Sequence, residues 1–282
     1  MKKLFNKILV PVDLSARSKP AVEKAIEIAR QYNCHIHLLH VSSLSSLTTV
    51  AMAEGHMMVP AINVDTRQEL NYQMNRLVKY VQFLSSNSFY VSSSIQGGTW
   101  NESVVDFVCD NNIDLVLIGQ NRSTLAKRKM YVNPDFIAEK TNIPVITIPS
   151  NRRLTKLYSI VIPVTNFLPV RKLMYGVYIG SFYNTTIKLL GIENERMKEQ
   201  VQYYLAKSMQ LLKDNCDVRV ETEIIVSENV AEAVNEFAML QSADLVIVNP
   251  GTQTKMPGFF SSLLGNILQK YSAPPILAVT PA

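Results

Sequence analysis

No two cysteines of this chain stand in a C-x-x-C pair. The three present, Cys34, Cys109 and Cys216, lie far apart. That excludes a redox motif and argues against a disulfide framework, and it suits reduced thiols in a cytosolic protein. Long apolar runs are missing as well. No stretch approaches the ~18 uninterrupted apolar residues of a membrane span. Behind the basic start "MKKLFNKILVPVD" the apolar run is about five residues, where a signal peptide needs roughly 7–15. A cytoplasmic location is therefore expected. The sequence has no G-x-S-x-G, no H-E-x-x-H and no G-x-x-x-x-G-K-[ST], so three common catalytic frameworks are excluded. His35 and His37 alternate along one apolar run and share a face, but no third ligand stands at suitable spacing, and no metal is expected. Charge of one sign is also in short supply. The net charge is +5 with pI ≈ 9.0, and the basic residues are scattered, which argues against a nucleic-acid footprint. The clusters "KRK" at 127–129 and "NRR" at 151–153 read as solvated loop and linker charge.

What the chain does have is enough apolar material, written twice. At 282 residues, 47% hydrophobic and 18% charged, it supplies a packed interior and is long for a single core. "KILVPVDLS" at 7–15 returns as "SIVIPVTNF" at 159–167, and "HIHLLHV" at 35–41 as "TIKLLGI" at 186–192. "IDLVLIG" at 113–119 returns as "ADLVIVN" at 243–249, and "IPVITIPS" at 143–150 as "PPILAVTP" at 274–281. Four apolar strands recurring in one order indicate a duplicated fold, with domains at 1–150 and 158–282 joined by a short polar linker at 151–157. Between the strands lie helical spacings: 18–32, 68–85, 101–110, and a start at Asn133, Pro134 and Asp135, with Asn as cap and Pro in the first turn. Unbroken apolar strands alternating with amphipathic helices imply an α/β fold with a parallel sheet covered on both faces.

Three features look towards function. Asp13 ends the first apolar strand, where a carboxylate either caps the following helix or holds a ligand. The segment 42–66, largely absent from the second copy, follows the second strand; it reads as a variable surface loop or as a lid beside the usual crevice of an open α/β sheet. Its Met52, Met57, Met58 and Val59 would suit a small apolar ligand. Gly97 and Gly98, ahead of the single tryptophan Trp100, read as a turn or as a point of close approach.

The motifs "ILVPVDLS", "HLLHV", "DLVLIG" and "IPVITIP", in this order and in two copies, resemble the universal stress protein family in its tandem form. The resemblance implies two domains, each an open five-stranded parallel sheet flanked by helices, within the adenine-nucleotide α-hydrolase-like group. It also implies that such domains pair through their last strands, so the two halves are expected to pair with each other, and a homodimer of the whole chain is a further expectation. In ATP-binding members a strand-end aspartate meets the adenine, matched by Asp13, and a residue closing the second strand lines the pocket, matched by Val41. Their phosphate loop reads G-x-x-G, nine residues, then G-[ST]. Glycines there let backbone N–H groups close on phosphate oxygens at a helix start.

The chain departs from that loop. Gly119 matches the first glycine, but the second falls on Arg122, and the closing pair on Val132 and Asn133. Pro134 removes one N–H from the helix end. In the second copy Thr165 replaces the aspartate and Asn249 the first glycine; only Gly265 and Asn266 resemble the closing pair. The HIGH-type and SGG-type signatures of enzymes in the wider group are not seen. The expectation is a non-catalytic, tandem stress-response protein, acting on an unidentified protein partner or small ligand, with no resident cofactor. The alternative is an ATP- or AMP-binding switch or weak ATPase using the first domain only, through Asp13, Val41, Gly119, Arg122 and Asn133, with Arg122, Lys127, Arg128 and Lys129 replacing the lost glycines by charge.

Overall fold

The computed structural model describes residues 3–42, 48–51, 59–62, 64–86, 88–120, 132–149, 156–251 and 274–281. The chain divides into two compact units, one ending at Gly119 but including Val132 and Asn133, the other taking the chain from Pro134 onward.

In the first unit, β1 (Lys7–Pro11) is a run of branched residues with Ile8, Leu9 and Val10 fully buried. α1 (Lys19–Tyr32) carries a proline in its first turn and buries Ala21, Val22, Ala25, Ile28 and Ala29 on one face. It stops at Asn33, which takes the left-handed conformation (φ 52°) that asparagine tolerates better than branched residues do. β2 (His35–Ser42) follows, then a small antiparallel ribbon of β3 (Thr48–Ala51) and β4 (Val59–Ile62). This ribbon occupies part of the segment read as loop or lid; Met52, Met57 and Met58 lie outside the described residues. α2 (Val64–Ser85) begins four residues before the apolar periodicity does. β5 (Val91–Gly97), α3 (Trp100–Asp110) and β6 (Leu115–Gln120) complete the unit. β1 pairs in parallel with both β2 and β6, and β2 with β5.

The second unit opens with α4 (Pro134–Thr141) and β7 (Val145–Pro149). It continues through β8 (Ser159–Val164), α5 (Val170–Gly180), β9 (Thr186–Glu193), α6 (Lys198–Asn215) and β10 (Arg219–Val226). It closes with α7 (Val230–Leu240), β11 (Leu245–Val248) and β12 (Ile276–Ala278). β8 to β12 form a parallel sheet in the order β10-β9-β8-β11-β12, and β12 takes β7 as an antiparallel neighbour, Leu277 opposite Ile146. One layer of its core joins Val161 and Val246 of the sheet to Val234, Phe237 and Ala238 of α7.

The repeated "DL" has a structural cause. Asp114 Oδ2 accepts hydrogen bonds from the backbone N–H groups of Asn6 (2.8 Å) and Lys7 (3.0 Å). Asp244 Oδ2 accepts from Tyr158 (2.8 Å) and Ser159 (3.0 Å). In each copy one carboxylate fastens the start of the first strand, which then runs under the core. Lys172 in the first turn of α5 is an unusual guest of that core. It is 1% exposed, its Nζ donates to the Pro163 carbonyl at 2.6 Å, and burial lowers its pKa to about 7.

Candidate functional site

In an open α/β sheet, the crevice lies at the carboxyl ends of the strands where the order reverses, here beside β1. Asp13, Val41 and Gly119 stand at or just past the carboxyl ends of the three neighbouring strands β1, β2 and β6. Val41 is buried at 3% exposure and Gly119 is buried on β6. Arg122, with Lys127, Arg128 and Lys129, lies outside the described residues.

Asp13 is held by its own loop. Its Oδ1 accepts hydrogen bonds from the Ser15 backbone N–H (3.0 Å), the Ser15 hydroxyl (2.7 Å) and the Ser18 hydroxyl (2.7 Å). Ser18 Oγ in turn accepts from the Asp13 backbone N–H at 3.0 Å. Local side chain–backbone bonding of this type fixes a turn without a ligand, and it carries Leu14 into the left-handed region at φ 59°. Just before the loop, His40 Nδ1 lies 2.8 Å from the Val12 carbonyl. A carbonyl can only accept, so Nδ1 carries the proton. Burial lowers the His40 pKa and outweighs the opposing pull of that carbonyl and of Asp13. The His40 ring meets Trp100 edge-on at 5.6 Å, so the lone tryptophan reports on this corner.

Asn133 sits directly ahead of α4, and its backbone N–H is taken by the Asn101 side chain of α3 at 2.8 Å. Val132, where the resemblance calls for glycine, is 8% exposed and packs inward. Asn101 was not singled out from the sequence; nothing in "TWNES" marks it as the partner of a residue 32 positions away. Gly98 has φ 145° and donates its N–H to Ser42 O at 3.0 Å. A Cβ there would come within 2.8 Å of Ser103 Oγ, so the glycine is required by the turn after β5. In the second copy Thr165 is buried, and the Asn249 amide donates to Val279 O at 2.7 Å, closing the end of β11 onto the end of β12.

The paired histidines have their own partners. His37 Nδ1 and Nε2 lie 2.7 and 2.8 Å from Ser92 and Ser94 Oγ, and His35 Nε2 lies 2.9 Å from the same Ser92. His37 also packs against Phe107 at 4.3 Å. Burial first, then the nearby Lys7 charge and His35, lower its pKa to about 4. These are neutral, hydroxyl-bonded rings on a covered sheet face. Among the described residues no group of three or more His, Cys, Asp or Glu side chains could hold a metal ion, and no helix is long and apolar enough to cross a membrane.

A family model described as the universal stress protein family matches residues 4–149. Universal stress protein A of Yersinia pestis is 31% identical over 127 residues, covering 44% of this chain and 78% of the relative. The Salmonella typhi protein of the same name is 30% identical, covering 44% and 81%. Among solved structures, a universal stress protein from Archaeoglobus fulgidus superposes with TM-score 0.68 at 12% identity over the full length of both chains. The cytoplasmic domain of a prokaryotic cation chloride cotransporter gives 0.55 at 12% identity, over 98% of this chain and 96% of that one. At such identities these two likenesses concern the fold.

Proposed function

Because this chain belongs to the universal stress protein family, we propose that it is a non-catalytic stress-response protein of two tandem domains, residues 1–150 and 158–282, that acts in the cytoplasm through protein interaction or ligand sensing. The observation that carries this reading is the state of Asp13. The carboxylate expected to meet an adenine already accepts three hydrogen bonds from Ser15 and Ser18. Buried Val132 and the Asn249 bond to Val279 support the same view, since both stand where the family's phosphate loop has glycine, and the Asn101 side chain takes the Asn133 backbone N–H at the helix start. The antiparallel pairing of β7 with β12 supports pairing of the two copies through their last strands. The three cysteines, all free, suit a reducing compartment.

The alternative keeps a nucleotide in the first domain, over Val41 and beside Gly119, with the 122–129 cations on the phosphates. Isothermal titration of the full chain with ATP, AMP and cyclic AMP separates the two. Silence up to millimolar nucleotide is expected. Micromolar binding that Asp13→Ala weakens tenfold or more would overturn the proposal in favour of the switch.

A further inference from the structure

An outward helix face is ordinarily polar, yet α2 turns aromatic and cationic side chains to solvent. On α2, Tyr72 is 59% and Phe83 81% exposed. The Arg76 guanidinium carbon stands 5.8 Å from the centre of the Tyr72 ring. At 100° per residue Tyr72, Arg76, Lys79, Tyr80 and Phe83 share an arc of roughly 100°, opposite the buried Met74 and Val81. From Leu70 to Ser85 the helix carries those two cations and no carboxylate. α6 repeats only part of this, because exposed Glu199 and Asp214 share the arc of Tyr203 and Lys207 and give that face mixed charge. Tyr203 is 56% exposed, Lys207 Nζ lies 5.2 Å from its ring centre and donates to its Oη at 2.9 Å, and Leu211 follows one turn on, also exposed. Aromatic, cation four residues later, apolar or aromatic four after that: the order recurs in both units although the first helix has Arg where the second has Lys.

Folding leaves most of Tyr72 and Phe83 in solvent, so the fold itself gains little from those two rings. Tyrosine and arginine are the residue types in which binding energy concentrates, whereas an idle helix face would be expected to carry mixed charge. Beside α2 there is also room for an anchor. A groove of about 540 Å³ runs between α2 and the start of α1, with Val22 and Leu77 among its apolar lining and Lys19 and Arg76 among its polar lining. The one acid on that wall, Glu69, accepts a hydrogen bond from Gln73 at 2.6 Å.

We propose that the α2 stripe is a docking surface for an acidic segment of a partner protein, one that sets an aromatic or aliphatic anchor between carboxylates. The carboxylates pair with Arg76 and Lys79, while the anchor packs on Tyr72 and Phe83. The chain's net charge of +5 favours the encounter with an acidic partner. The inference rests on the interaction branch of the proposed function, and it is read at α2, whereas nucleotide titration reads the crevice.

The test is selection of a displayed random dodecapeptide library on the full chain, followed by titration of the enriched peptides, synthesised, against the wild type and the Arg76→Glu/Lys79→Glu double variant. Both positions are on exposed helix faces, and circular dichroism confirms that the variant is folded. The expected result is enrichment of peptides with Asp or Glu flanking an aromatic or leucyl anchor, bound at least tenfold more weakly by the double variant. No enrichment, enrichment without an acidic bias, or equal binding to the variant overturns the proposal. So does displacement of the peptide by single-stranded RNA or anionic vesicles at lower charge concentration, which would assign the stripe to another class of partner.

Discussion

Removing the Asp13 carboxylate gives the most direct reading of what this residue does. If it is the keystone of its own turn, Asp13→Ala destabilises the protein with no ligand present. Three hydrogen bonds to one carboxylate oxygen are lost, from Ser15 N, Ser15 Oγ and Ser18 Oγ. Bonds to a charged group contribute about 1.5–3 kcal/mol each when well buried, and the half-open position of Asp13 reduces that, so a total of about 2–3 kcal/mol is expected. Asp13→Asn keeps an acceptor oxygen in place and should cost about 1 kcal/mol. The assay is urea denaturation followed by Trp100 fluorescence, because Trp100 packs on His40, whose ring is bonded to the carbonyl one residue before Asp13. With a slope of about 2 kcal/mol per molar, the alanine midpoint falls by about 1 M. A variant as stable as the wild type, or more stable, refutes the reasoning. A carboxylate whose removal is neutral or stabilising is held for a ligand, and the crevice would then have to be taken as a working site.

Two further outcomes follow from the structure. Asp114→Ala and Asp244→Ala should each lower stability by about 2 kcal/mol in chemical denaturation, since each leaves two backbone N–H groups at a strand start without their acceptor; one costly and one neutral would show that the two repeats do not use the aspartate alike. Lys172 titrates near 7 in the folded protein against 10.5 for the free side chain, so the folded state holds fewer protons between those values and the wild type gains stability as pH rises from 7 towards 10.5. Lys172→Met has no such group, and its stability relative to the wild type should therefore fall by on the order of 2–4 kcal/mol between pH 7 and pH 10. A pH-independent difference in thermal or urea unfolding would mean that the amine stays charged in its pocket.

How far the sequence reached can be judged residue by residue. Strand identity was legible because runs such as Ile8 to Val10 and Leu245 to Val248 are apolar without interruption, and only strands covered on both faces need to be. Helix starts were legible where a breaker marks them, as at Pro134, and not at α2, whose polar first turn leaves no periodicity to read. At the site, Asp13 could be flagged as out of place, and Ser15 and Ser18 stood near it in sequence, yet only coordinates could show that both hydroxyls turn back to its Oδ1. Asn101 was invisible because its partner Asn133 comes 32 positions later in the chain, after β6. Ser92 and Ser94 went unnoticed for the same reason: they face His35 and His37 only through the register of β2 and β5.

The order of apolar and polar residues along the chain, by itself, determined the α/β class and the recurrence of the four apolar strands, because these depend on periodicity. The tertiary structure alone decided which polar groups are already engaged and which aromatic faces are left open. Those outcomes depend on strand register and on how helices pack, and both bring together residues that the sequence holds dozens of positions apart.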